Sequence, residues 1–168
     1  MEVWDLFTRD GEPLGKTHIR GERLPKDAYH IVCECLVRHV DGSYLVMQRS
    51  RTKSVFAGMP EATAGGAAQA GESPLDCITR ELREETGISA DSFDFVAFEV
   101  QELGQCVVYS YFCTVDTDKS AVTLQEGETD GYEWLDEEEF IELVNSGRMI
   151  PTQRKRFDAF YRRLGYVK

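Results

Sequence analysis

A mixed α/β domain is the fold class this sequence predicts, and three observations carry it. Runs such as His30 to Val40 alternate apolar and polar residues with the two-residue period of a strand. The run Glu72 to Gly87 has helical periodicity and both helix-end signals. Asp-Gly and lone Gly turn signals separate these runs at short intervals, with no repeat, low-complexity stretch or linker between them.

Glu2 to Phe7 reads as a short strand, Asp10-Gly11 as a turn and Leu14 to Ile19 as the return strand, so residues 1–28 form an N-terminal hairpin and loop. In His30 to Val40, the residues Ile31, Cys33, Cys35 and Val37 share one face. Asp41-Gly42 turns the chain into a partner strand, Ser43 to Gln48. Ser50 to Pro60 reads as a loop, and Ala62 to Ala70 as a small, Gly-rich stretch. Phe93 to Leu103 and Cys106 to Val115 read as strands joined at Gly104, and Gly131 to Leu135 as a brief strand. Asp136 caps a helix carrying Phe140, Ile141, Leu143 and Val144, which Gly147 ends. Pro151 opens a last helix running to about Leu164 within a locally basic segment, 151–168, that complements the acidic body.

Thirty Asp and Glu against nineteen Lys and Arg give a net charge of −11. Such a chain repels nucleic acid and anionic membrane, and a phosphorylated ligand needs a cation to mediate its binding. The five cysteines form no CxxC pair and, with three histidines, no zinc spacing, so they read as reduced thiols of a cytoplasmic protein. The N-terminus lacks the features of a signal peptide.

The helix after Gly66 concentrates the chemistry. Ser73 suits the N-cap, Pro74 the first turn, Asp76 a capping box and Gly87 the left-handed C-terminal position. At helical spacing Leu75, Ile78, Leu82 and Thr86 form the core face, and Cys77 a small-residue packing site. Glu81, Glu84 and Glu85 fall on a neighbouring arc, where their carboxylates converge and repel unless a cation sits among them. Oxygen donors of this kind suit Mg²⁺. The same spacing also suits a solvated face, with Arg80 paired to Glu84.

The surroundings resolve that choice. Gly66, Glu72, Arg80, Glu81, Leu82, Glu84, Glu85, Gly87 and Ile88 fill every fixed position of the pattern G-x5-E-x7-R-E-U-x-E-E-x-G-U, in which U is a bulky aliphatic residue. The segment 66–88 thereby resembles the Nudix box, and the family likeness implies an α/β/α sandwich with a central mixed sheet. It also implies a Mg²⁺-dependent hydrolase, Mn²⁺ being a substitute, that cleaves the diphosphate bond of a nucleoside diphosphate linked to another group. On that resemblance Glu84 and Glu85 are metal ligands, Glu81 is a further ligand or the general base, and the Gly65 carbonyl completes the metal shell. Arg80 is structural, bonded to carboxylates including Glu72. The implied partner is a small-molecule diphosphate rather than nucleic acid or membrane, with a homodimer left open.

Outside the box, Gln48-Arg49-Ser50-Arg51 resembles a segment that recurs in Nudix proteins, with Arg49 or Arg51 as candidates for substrate phosphate, and the resemblance implies an additional metal-binding or basic carboxylate in the loop Gln125 to Glu128, with Glu128 and then Glu126 as candidates. Trp4-Asp5-Leu6-Phe7, Asp10-Gly11, Leu14-Gly15, Gly21, Leu24-Pro25 and Tyr29-His30 also resemble the N-terminal extension of isopentenyl-diphosphate-isomerase-like Nudix proteins. Isomerases, however, place a catalytic Cys in the loop before the box helix, where Glu61 to Ala68 has none. They also use two upstream histidines as metal ligands. His30 matches one, and Arg23 stands where the other belongs. Hydrolysis is therefore the expected activity, with isomerisation or non-catalytic ligand binding as the alternatives.

Overall fold

The computed structural model describes residues 1–167; Lys168, counted above in the basic C-terminal segment, lies outside the described residues. Strands β1 (Val3–Phe7) and β2 (Pro13–Ile19) form an antiparallel hairpin of their own. The main sheet is mixed. Its path runs β5 (Pro60–Glu61), β4 (Tyr44–Arg49), β3 (His30–His39), β8 (Cys106–Val115) and β7 (Asp94–Gln101). Two further strands, β6 (Thr63–Ala67) and β9 (Thr129–Leu135), add to β3 and β4 respectively. Helix α1 (Pro74–Thr86) covers one side, while α2 (Glu137–Asn145), α3 (Pro151–Arg156) and α4 (Asp158–Arg163) cover the other. No described helix is long and apolar enough to cross a membrane.

β3 is the spine, and its alternation explains the two layers. Ile31, Cys33, Cys35 and Val37 are buried toward α1, as the strand period requires. The opposite face carries Leu36 and Glu34, which are equally buried beneath the C-terminal helices. β8 runs parallel to β3 from His30↔Cys106 to His39↔Val115.

Four expectations need correction. The hairpin across Asp41-Gly42 pairs β3 with β4 only at Arg38↔Tyr44, after which the strands part. β6 then takes the freed edge of β3, and β5 and β9 flank β4, so every ladder is satisfied by a different neighbour. The Gly-rich stretch is thus a strand, running Val32↔Ala67 to Leu36↔Thr63 against β3. Leu75 is half exposed, because it lies on the first turn of α1 before the helix meets the sheet; Cys77 joins Ile78, Leu82 and Thr86 on the buried face instead. The last helix is broken at Phe157, whose backbone (φ −89°, ψ 2°) sits between α3 and α4 while its ring is fully buried.

Candidate active site

α1 is fixed at both ends. The Ser73 hydroxyl accepts from Asp76 N–H (3.2 Å), and the Asp76 carboxylate accepts from Ser73 N–H (3.0 Å). Gly87 closes the helix at φ 73°, donating to the Arg83 carbonyl at 2.9 Å. The Cys77 thiol donates to the Gly66 carbonyl at 3.6 Å, tying the helix to β6.

Arg80 organises the acidic face. Its Nε and Nη2 grip Glu72 at 2.6 and 2.9 Å, and Nη2 also reaches the Ala67 carbonyl at 3.1 Å. Its Nη1 donates to Glu81 at 2.7 Å and to Glu84 at 3.0 Å. The bond to Arg80 holds the Glu72 carboxyl below the usual range, and the bond to Glu72 likewise holds Arg80 firmly protonated. Glu85 turns inward and accepts from Gly65 N–H at 2.8 Å. Burial pushes the Glu85 carboxyl up to about 8, and the neighbouring Glu61, Glu81 and Glu128 push the same way. Burial also raises Glu81, against the pull of Arg80.

A cleft of about 310 Å³ lies over this face. Gly65, Gly66, Glu81, Glu84 and Glu85 line it, with Arg80 between the carboxylates. Glu128 enters from the loop before β9 and Arg49 from the end of β4. Of the residues singled out by sequence, Arg51 is not brought there. It is exposed, and its backbone N–H bonds Asp130 at 2.9 Å, because the turn Ser50 to Lys53 swings Lys53 into the cleft in its place. Glu126 is exposed outside the cleft, and Glu72 stands behind Arg80. His30 also lies elsewhere, stacked on Trp4 with ring centroids 4.0 Å apart and its Nδ1 3.2 Å from the Gln105 carbonyl.

Several lining residues had no sequence signal. Lys53 forms an ion pair with Glu128. Gln69 and Gln125 are neutral side chains in loops. Glu2 and Arg20 come from the hairpin, far away in sequence. Glu61, outside the lining, steadies Arg49 at 3.3 Å and is itself held by Gln153 at 3.0 Å.

The arrangement suits a hard divalent cation in its donor type, all oxygen, and in having a half-buried carboxylate, Glu85, whose ionised form desolvation disfavours unless positive charge approaches. Glu81, Glu84 and Glu85 share this one cleft, but they do not form a closed cage. No set of three His, Cys, Asp or Glu among the described residues is gathered closely enough to cage a metal, because Arg80 holds two of the carboxylates and Gly65 N–H the third.

Comparison with known proteins agrees with this picture. The NUDIX domain pattern matches residues 28–160. An uncharacterized Nudix hydrolase of Listeria monocytogenes is 32% identical over 151 residues, covering 90% of this chain and 89% of that protein. An isopentenyl-diphosphate Delta-isomerase of Corynebacterium diphtheriae is 26% identical, covering 87% and 85%. A crystal structure from Deinococcus radiodurans superposes with a TM-score of 0.70 at 22% identity, over 92% of this chain and 98% of that one, a likeness of fold. A box whose fixed positions are all filled, on the helix that floors an acidic cleft inside that fold, has one reading: the chain belongs to the Nudix family of diphosphate-cleaving hydrolases.

Proposed function

We propose that this enzyme hydrolyses the diphosphate bond of a nucleoside diphosphate linked to another group, with Mg²⁺ as cofactor. The observation that carries the proposal is the meeting of Glu81, Glu84, Glu85 and Glu128 with Arg49 and Lys53 in one cleft. An acidic protein binds a diphosphate only where its charge is locally inverted, and this cleft supplies both cations and cation-binding carboxylates. When bound, Mg²⁺ neutralises the diphosphate and lowers the pKa of an attacking water, and Mn²⁺ suits the same donors. Glu84 and Glu85 would hold the cation, together with the Gly65 carbonyl and the Glu128 carboxylate. Glu81, at the mouth of Gly66, serves as a further ligand or takes the proton from water. Arg49 and Lys53 orient the phosphates for in-line attack, and Arg80 keeps the carboxylates in register.

Isomerisation finds less support. It requires a thiol facing the cleft from the loop before α1, and the nearest thiols, Cys33 and Cys77, are fully buried. The test is turnover with Mg²⁺ of nucleoside diphosphates and triphosphates, nucleotide sugars, dinucleotides and isopentenyl diphosphate, reading phosphate release and isomer formation. Glu84→Gln should lower kcat by on the order of 10²–10⁴-fold. Isomer formation, or binding without any turnover across the panel, refutes the proposal.

A further inference from the structure

We infer that the N-terminal hairpin builds one wall of the catalytic cleft and supplies Arg20 as an anion-binding residue for the substrate's phosphates, with Glu2 as its internal competitor; this rests on the hydrolase reading of the cleft. The matched family pattern starts at residue 28, so the hairpin stands outside it. It is nevertheless firmly docked beside the box. Ala70 N–H donates to the Val3 carbonyl at 2.8 Å, and Gly71 N–H to the Asp5 carboxylate at 2.7 Å. Phe7 and Tyr29 exchange backbone bonds at 2.8 and 2.9 Å, and Trp4 lies flat on His30, with 8° between the rings. These contacts fix the hairpin both to the loop that leads into α1 and to the start of β3.

Glu2 and Arg20 are the two hairpin residues that line the cleft. Their backbones are joined by Arg20 N–H to the Glu2 carbonyl (3.0 Å), and their side chains by an ion pair at 2.6 Å. Trp4 Nε1 donates to the other Glu2 oxygen at 2.9 Å, and the Arg20 guanidinium lies 6.0 Å from the Trp4 ring. Glu2 is therefore anchored by two donors, whereas the Arg20 side chain is 60% exposed and holds spare N–H groups toward the cleft. A phosphate oxygen entering from solvent meets those groups directly, and a guanidinium binds it with two parallel bonds. The Glu2 carboxylate occupies the same donor, so it weakens anion capture and favours ligands charged enough to displace it. Arg80 cannot substitute, since Glu72, Glu81 and Glu84 already hold it.

Inorganic pyrophosphate is the probe, titrated calorimetrically into the full chain in Mg²⁺ buffer. Arg20→Ala should weaken its binding by on the order of tenfold or more, and Arg20→Lys should recover part of the loss. Glu2→Gln should tighten binding in the native background and leave it unchanged in the Arg20→Ala background. Thermal melts of each variant verify that the hairpin remains docked. Unchanged affinity in Arg20→Ala, with Lys53→Ala weakened, overturns the inference and leaves the hydrolase reading intact. Unchanged affinity in Arg20→Ala, Lys53→Ala and Arg49→Ala together overturns both, because the cleft then does not bind diphosphate. An equal effect of Glu2→Gln with and without Arg20 shows general charge removal and overturns the competitor role.

Discussion

A methyl group added at Gly66 would stand 2.5 Å from the Glu81 carboxyl carbon, whereas one added at Gly65 would strike the backbone carbonyl of Cys33 and lie 2.7 Å from Glu34 Cα. The Glu81 carboxylate is the far end of a flexible side chain and can swing away; the β3 backbone cannot. Gly66→Ala should therefore keep stability within about 1 kcal/mol and lower kcat/KM on the order of 10²-fold, by displacing Glu81. Gly65→Ala should cost about 1–3 kcal/mol or more, by forcing β6 off β3. Paired denaturation and steady-state measurements separate the two outcomes. His30 makes a prediction about pH. Burial holds its imidazole down to about 4, below 6.5 for the exposed side chain. The unfolded chain thus binds the proton first as pH falls, so the contribution of His30 is complete above about 6.5 and is lost between there and about 4, a change of about 3 kcal/mol. Urea midpoints across that range should fall less steeply in His30→Phe, which preserves the stack on Trp4.

β3 and α3 meet through an ion pair that is nearly sealed from water. Arg156 Nε and Nη2 donate to Glu34 at 2.5 and 2.7 Å, with the two side chains 7% and 6% exposed, and Ser110 donates to the same carboxylate at 2.6 Å. Arg156→Met leaves that charge unpaired and should cost about 3–5 kcal/mol, while adding Glu34→Leu should return part of it. Chemical denaturation of the double-mutant cycle measures this. The pair also marks a boundary of what could be read in the sequence. β3, β8 and the capped box helix declare themselves through period and end signals, which are local. Arg156 reads only as one cation in a basic run, because its partner is remote in sequence. β6 is hidden for a different reason: its glycines have low strand propensity, and what places them in the sheet is the lack of room beside β3. Among site residues, those on or beside the box helix were legible, since their spacing fixes their common face. Arg20, Glu2 and Lys53 were not, because hairpin docking and one loop turn decide where they point.

Across the whole molecule, one sheet serves two cores. Leu45, Met47 and Val107 belong to the α1 side, while Leu36, Tyr44, Val46 and Phe157 belong to the C-terminal side. Residues of both cores alternate along β3 and β4, so neither layer can come apart without stripping the other's floor. Phe157→Ala, in the C-terminal core, should cost about 3–5 kcal/mol. Its unfolding should remain a single transition, with tryptophan fluorescence and far-UV circular dichroism coincident, although Trp134 packs against the opposite core. Chain order adds a consequence for synthesis. β3 pairs in parallel with β8, whose last residue, Val115, leaves the ribosome long after His39. Until then the nascent chain can close β3 on its local partners β4 and β6 but must carry its other edge open, an apolar strand with bare backbone donors and acceptors. One contact of the hairpin, the Arg9–Glu102 ion pair at 2.7 Å, also waits for the residues just ahead of β8. A ribosome stalled before Cys106 would therefore expose the strand most prone to pair with a neighbouring chain.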